Sequence, residues 1–424
     1  MGASMRAFFS DTGTHLTGRA RIALASLAMF CMPAVSIAAD SPSTDAVSCQ
    51  LPAACTLSDG TAFGMNLSYQ YDSDNFSHDD GTFTDSNTFR RKQLGIYARK
   101  SGVFDFTMTY DFESRAWQDV YARIQSDAFL KHDIGAFRLG FSKIPVGLEN
   151  LTSSTATSFI EAALPTEAIQ ETRRIGIDWA LQRPHFIVDA GYYYRGGPKP
   201  GEGFLFNGTP KTKGKTVAGR VVWIPLNEPG HVLHFAASGA KETPAGNVNM
   251  LGVFEPATEV IRTRPEAGLT SVRLVNSGNI SFADRIDRVG LEQLWISGPW
   301  SVQSEYLDAR IQRPFGLSTY DASGYYVFGS WVLTGESRGY ANGVVSDLRP
   351  QQKFGAVELL LRYSAVDLND EPILGGKEHD WTLGLNWYLN RYLKIQTNFI
   401  HADSERQGKS INPNIFETRL QVTL

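Results

Sequence analysis

From residue 62 to the end of the chain, side chains alternate between apolar and polar in runs of about ten residues. The stretch 380–399, DWTLGLNWYLNRYLKIQTNF, shows it best. Trp381, Leu383, Leu385, Trp387 and Leu389 hold every second position against Asp380, Thr382, Gly384, Asn386 and Tyr388. The alternation breaks at Asn390-Arg391-Tyr392 and resumes with Leu393, Ile395 and Phe399 against Lys394, Gln396 and Asn398. A strand sends successive side chains to opposite faces, so this is a hairpin with one apolar and one polar face. Two architectures take such strands. A soluble sandwich buries Trp and Leu, whereas a membrane barrel turns them to lipid and wets its interior.

Strand length and connections separate the two. Seventeen candidate strands run from 62–72 to 414–424, among them 266–276, and most have the nine to eleven residues that a tilted strand needs to cross a bilayer. Short turns (101–102, 182–184, 228–230, 298–299, 390–391) alternate with long connections (73–87, 144–173, 196–213, 242–265, 339–351, 404–413), the asymmetry of an outer-membrane barrel. Single-chain bacterial barrels close with an even number of strands. The expectation is therefore an all-β, transmembrane antiparallel barrel of 16 strands, with 18 as the alternative: one segment is a loop, or another strand lies near 250–262. Charged residues make up 20% of the chain, below the soluble average of about 25%.

Arg19 and Arg21 precede the apolar run IALASLAMFCM (22–32), then Pro33 and the small-residue end Ser36 to Ala39. That order describes a secretory signal peptide over 1–39, too short for a membrane anchor. A short leader (40–60) and one barrel domain (61–424) follow. Removing 1–39 takes away more basic than acidic residues, so the mature chain is more acidic than the formal −4, which argues against a nucleic-acid partner. Cys31 leaves with the signal. Cys49 and Cys55, in SCQLPAAC, are either a small disulfide loop, the reading favoured in an oxidising compartment, or two free thiols.

By parity the polar faces carry Arg91, Arg99, Arg123, Arg138, Arg174, Arg220, Arg288 and Arg362, interspersed with glycines and acids. On a sandwich this would be a solvated outer face. In a barrel it is a water-filled lumen whose guanidinium forks attract oxyanions. The connection 144–173, read as the longest, carries Glu149, Glu161, Glu167 and Glu171 and a helix-like patch before Pro165. Folded into the lumen, it would narrow the pore and set acids against wall arginines. The segment GTPKTKGKT (208–216) imitates a phosphate loop but has the wrong glycine spacing and precedes a strand-like run. No motif proposes a catalytic nucleophile, a metal site or a cofactor, and none of these is expected.

Several segments resemble the phosphate-selective porin O/P family in sequence and order. They are GAFRLGFSKIPVGLENLTSS (135–154), FIEAALP (159–165), RTRPEAGL (262–269), SGPWSVQSEY (297–306), SGYYVFGSWVLTGESRGY (323–340), LRYSAVDLND (361–370) and LGLNWYLN (383–390). The resemblance implies a 16-stranded, trimeric diffusion porin in the outer membrane of a Gram-negative cell. Its partners would be outer-membrane lipid and lipopolysaccharide, the barrel assembly machinery and small anionic solutes of the phosphate/polyphosphate class. The chain departs from the family pattern in two places. Loop 144–172 has no lysine and four glutamates, which leaves a weak anion preference or broad permeation equally open, and Leu424 stands where an aromatic is expected. The competing readings are an outer-membrane barrel enzyme such as a lipase, and a soluble exported β-rich binding protein.

Overall fold

The computed structural model describes residues 47–50, 54–171, 173–194, 214–248 and 253–424. The expected signal peptide 1–39, the start of the leader and the connection 196–213 lie outside the described residues.

Sixteen strands form one antiparallel barrel. They are β1 (Thr61–Ser77), β2 (Ser86–Lys100), β3 (Phe104–Asp111), β4 (Ala116–Gln125), β5 (Ala136–Lys143), β6 (Arg173–Arg183), β7 (Phe186–Tyr194) and β8 (Lys215–Glu228). The circuit continues with β9 (His231–Thr243), β10 (Arg285–Ser297), β11 (Trp300–Gln312), β12 (Tyr320–Val332), β13 (Ala356–Asp370), β14 (Ile373–Tyr388), β15 (Leu393–Arg406) and β16 (Asn414–Thr423). Each pairs with its sequence neighbour, and β16 pairs with β1 from Asn414 opposite Ser77 to Thr423 opposite Ser68, which closes the circle. Closure removes the open edges of the sheet, as a membrane requires.

The two faces of 380–399 are now assigned. Leu383, Leu385 and Trp387 are 50%, 46% and 41% exposed, whereas Thr382, Asn386 and Gln396 are fully buried. The same inversion runs around the barrel: Val217, Val221 and Trp223 face out on β8, opposite Ala218, Arg220 and Val222. A protein that exposes its Trp and Leu and buries its Asn and Arg is built for lipid, and the soluble binding-protein reading fails on this point.

One candidate strand is corrected. Residues 266–276 belong to the connection 244–284, and of these eleven only Val275–Asn276 pairs, with Arg262–Thr263. Their alternation misled because Ala267, Leu274 and Val275 are buried against the inner wall, not against lipid. This connection, not 144–172, is the longest. The connections also break the simple asymmetry. The end that carries the short turns also carries 333–355, with a hairpin of Gly339–Ala341 and Val344–Ser346, while the opposite end closes β13 to β14 with two residues. Gly298 shows why the true turns can be so short: its φ of +55° lets β10 reverse directly into β11.

Before β1, Val47–Gln50 and Ala54–Leu57 form a hairpin in which Cys49 faces Cys55 in a disulfide, the favoured reading of that pair. Ala54, Cys55 and Thr56 pair with Gly64, Phe63 and Ala62, covering the edge of β1 beyond the end of β16.

Candidate functional site

Three connections fold against the polar inner face. From 144–172, the backbone N–H groups of Leu148 and Glu149 donate to Glu305 on β11 (2.8 and 2.7 Å), and the Leu164 N–H donates to Ser364 on β13. Its carbonyls accept from Gln70 on β1, Asn386 on β14, Lys394 and Gln396 on β15, and Arg419 on β16. The connection 244–284 brings Glu266 to Arg362 and Thr382, and the Leu269 N–H to Asp74. From the other end, 333–355 brings Tyr340 to His234 (2.7 Å), the Gly343 carbonyl to Arg220 (2.9 Å) and Arg338 to Ser301 and Gln303. The first and third meet in an apolar knot of Leu148 and Val345 with Val222, Ile224, Val232, Leu294 and Ile296.

These loops divide the arginines into two groups. Arg174, Arg220, Arg288 and Arg362 are buried in carboxylate pairs. Arg174 and Arg288 share Glu242 at 2.9 Å each, Arg220 clasps Glu292 at 2.6 Å, and Arg362 clasps Glu266 at 2.5 Å. Arg91, Arg99, Arg123 and Arg138 lie on the sector from β2 to β6, where the inner face is only partly covered. Arg123 pairs with Asp105 (2.7 Å) and Arg138 with Asp178 (3.0 Å), with 34% and 24% of their side chains exposed.

The four loop acids are all held by cations: Glu149 by Arg362 (3.5 Å), Glu161 by Arg90 (2.9 Å) and Arg419 (3.2 Å), Glu167 by Arg264 (2.7 Å), and Glu171 by Arg174 (3.0 Å) and Arg288 (2.9 Å). Burial opposes ionisation of Glu161, but Arg90 and Arg419 overcome it and hold the carboxyl below the ordinary range. At Glu149 burial prevails over Arg362 and raises the carboxyl above its ordinary value.

Sequence parity missed several residues of this region. The register of β1 against β2 shifts between Gln70 opposite Arg91 and Tyr71 opposite Phe89, so Arg90 is the extra residue of a bulge and reaches Glu161 beside Arg91. The adjacent Arg90-Arg91 pair, which interrupts the alternation, was its signal. Lys143 and Arg173 flank loop 144–172. Lys143 donates to the Thr152 carbonyl (2.8 Å), and Arg173 forks onto Asp119 with two bonds of 3.0 Å. Arg91 and Lys143 each lie close enough to Arg173 to feel its charge, and Arg91 Nε has no hydrogen-bond partner among the described residues. Five cations (Arg90, Arg91, Lys143, Arg173 and Arg419) thus gather with three acids, Glu161, Asp119 and Asp72. Toward the short-turn end, the same sector opens into a cavity of about 420 Å³ lined by Arg99, Lys100, Asp105, Arg123 and Gln125.

A closed sixteen-stranded barrel, apolar outside and polar inside with infolded loops, is an outer-membrane barrel of the porin class. The model of the family "phosphate-selective porin O and P" matches residues 63–424, and the chain belongs to that family. Porin O of Pseudomonas aeruginosa is 27% identical over 239 residues, 48% of this chain and 51% of that protein. The chain spans about half the length of the curated relatives it matches. Among solved structures, the outer-membrane protein OmpT of Vibrio cholerae superposes with a TM-score of 0.56 at 10% identity, over 86% of this chain and 98% of that one. It has also been solved in a trimer form. An anion-selective porin from Comamonas acidovorans superposes with a TM-score of 0.53 at 11% identity, over 86% of this chain and all of that one. The protein resides in the Gram-negative outer membrane.

Proposed function

We propose that this protein is a passive diffusion channel for small hydrophilic anions of the phosphate class. It reaches the membrane through a cleaved signal at 1–39 and works as a homotrimer, the state in which its Vibrio neighbour is also known. Solutes follow the β2–β6 sector of the lumen, past Arg91, Lys143 and Arg173, to the cavity at Arg99 and Arg123. The observation that carries this reading is the surplus of cations over acids beside the infolded loop. Positive side chains replace part of the water that an anion sheds at a narrow point. Asp119 and Glu161 hold two of those cations in pairs, so an anion competes for them and is released, as conduction requires. The family name and the anion-selective Comamonas neighbour point the same way.

The test is single-channel recording in planar bilayers under a salt gradient, with phosphate added against chloride. Anion-directed reversal potentials and a chloride current reduced by phosphate are expected. Absence of conductance overturns the channel, and cation selectivity overturns the role of the arginines.

A further inference from the structure

The open sector of the lumen carries aromatic rings that lipid anchoring does not explain. The aromatic girdles of a barrel face outward at the membrane boundaries. Tyr97 on β2 and Tyr121 on β4 face inward instead. Their sequence neighbours Ile96 and Ala122 are exposed on the outer face, and each tyrosine stands two residues from a lumen arginine of its own strand, Arg99 and Arg123. The strand register sets both rings in one row: Tyr97 stands opposite Thr107 on β3, and Thr107 opposite Tyr121. The next row toward the short-turn end is charged, with Arg99 opposite Asp105, Asp105 opposite Arg123, and Arg123 opposite Arg138. Arg99 lies over the Tyr97 ring at 4.7 Å and Arg138 over the Tyr121 ring at 5.4 Å. The charged row borders the cavity of about 420 Å³, a volume within the range of about 300–1,000 Å³ that small-molecule sites occupy.

A bare phosphate gains little from these rings, because the face of an aromatic ring is negative and repels an anion. The Tyr121 hydroxyl interacts with the Thr107 side chain, so a solute meets its ring rather than a free donor. A guanidinium stacked on a tyrosine is different: its in-plane N–H donors stay available to an oxyanion, while the ring beside it offers a flat apolar surface. Arg99 is the exposed case. It has no ion pair among the described residues, whereas Arg123 is held by Asp105 and Arg138 by Asp178. The cavity repeats the combination, with Arg99 and Lys100 beside Ala62 and Val103. Tyr97 and Tyr121 are two strand spacings apart, about 9.6 Å, so a planar ring over Thr107 sits about 4.8 Å from each, within the range of offset or edge contact. A molecule that joins an oxyanion to a planar ring uses both halves of this wall. Inorganic phosphate and an aliphatic phosphate ester use one.

We propose that the open sector prefers phosphate monoesters that carry a planar aromatic ring: the phosphate takes the N–H edge of Arg99, and the ring lies between Tyr97 and Tyr121. This inference rests on the anion-channel reading and names the solute class that the channel favours.

The test is single-channel recording on the full chain with chloride as the carrier. The readout is the concentration of inorganic phosphate, glycerol phosphate or phenyl phosphate that halves the current. In the parent, phenyl phosphate is expected to act at a roughly fivefold lower concentration than glycerol phosphate, which carries the same charge. Y97L and Y121L are expected to lose that difference and to keep the response to inorganic phosphate. Y97F and Y121F, which retain the ring, are expected to keep the difference. Equal action of the two esters in the parent overturns the inference while the channel stands, and this comparison decides even where a leucine variant fails to fold. Leucine variants that still separate the esters, or that lose the response to inorganic phosphate in the same proportion, overturn it too, as do phenylalanine variants that behave like leucine. Absence of anion current in the parent overturns the channel and this inference together.

Discussion

At the scale of single residues, the role of an arginine on the inner face is decided by whether a loop covers it. Parity in the sequence assigned Arg362 and Arg91 to the same polar face, and both lie there. What parity cannot express is that Glu266, ninety-six positions away in RTRPEAGL, arrives to clasp Arg362, while Arg91 keeps a donor without a partner among the described residues. No local pattern signals the first contact, because it is made by a connection whose alternation looked like a strand. The two sites respond differently to substitution. Arg362→Ala leaves the buried Glu266 carboxylate uncompensated and is expected to cost about 3–5 kcal/mol. The temperature at which the barrel band shifts on an unboiled gel should fall accordingly. Arg362→Met combined with Glu266→Gln should recover part of that loss, since no buried charge is then stranded.

Among the elements, loop 144–172 combines an apolar knot at Leu148 with charged clasps at Glu161. Its inward course was an expectation from length and composition; Glu149, Glu161 and Glu171 meet wall arginines, whereas Glu167 meets Arg264 of the connection 244–284. The opposed loop 333–355 was not legible, because inward folding from the short-turn end leaves no periodic trace. Leu148→Ala opens a cavity in the knot and is expected to cost about 2–5 kcal/mol, seen as increased flicker in single-channel records. The pH response follows from the two acids. Glu161 titrates below the ordinary carboxylate range, so its ionised form stabilises the loop above that range, and this contribution is lost only as pH falls through the lowered value. Glu149 is shifted the opposite way, so its ionised form is strained and mild acidification relieves it. Loop closure should therefore persist from neutral pH down to about pH 5, without increased flicker. Glu161→Gln should flicker across that whole interval, and a loop that loosens near pH 6 in the parent would contradict the assignment.

For the whole molecule, one hairpin left sandwich and barrel both open; the barrel and its inverted faces were legible from the strand lengths and connections along the whole chain, and the even count from the way single-chain barrels close. The eccentric position of the open lumen was not, because it depends on three loops that fill the β8–β16 side and leave β2–β6 partly exposed to water. An off-centre path has a consequence that a central pore lacks: charge removal should act on selectivity by sector. Arg91→Gln and Lys143→Gln, on the open side, should lower anion preference in the reversal potential and weaken phosphate block, with little change in thermal stability. Arg220→Met paired with Glu292→Gln, on the filled side, removes a clasp of the same chemistry but should leave the reversal potential unchanged. Deleting the 339–346 hairpin, which seats against Arg220 and His234, should raise conductance by admitting water to the filled side. If the two arginine sectors shift selectivity equally, ions are sampling the whole lumen, and the loops constrict the pore without steering its contents.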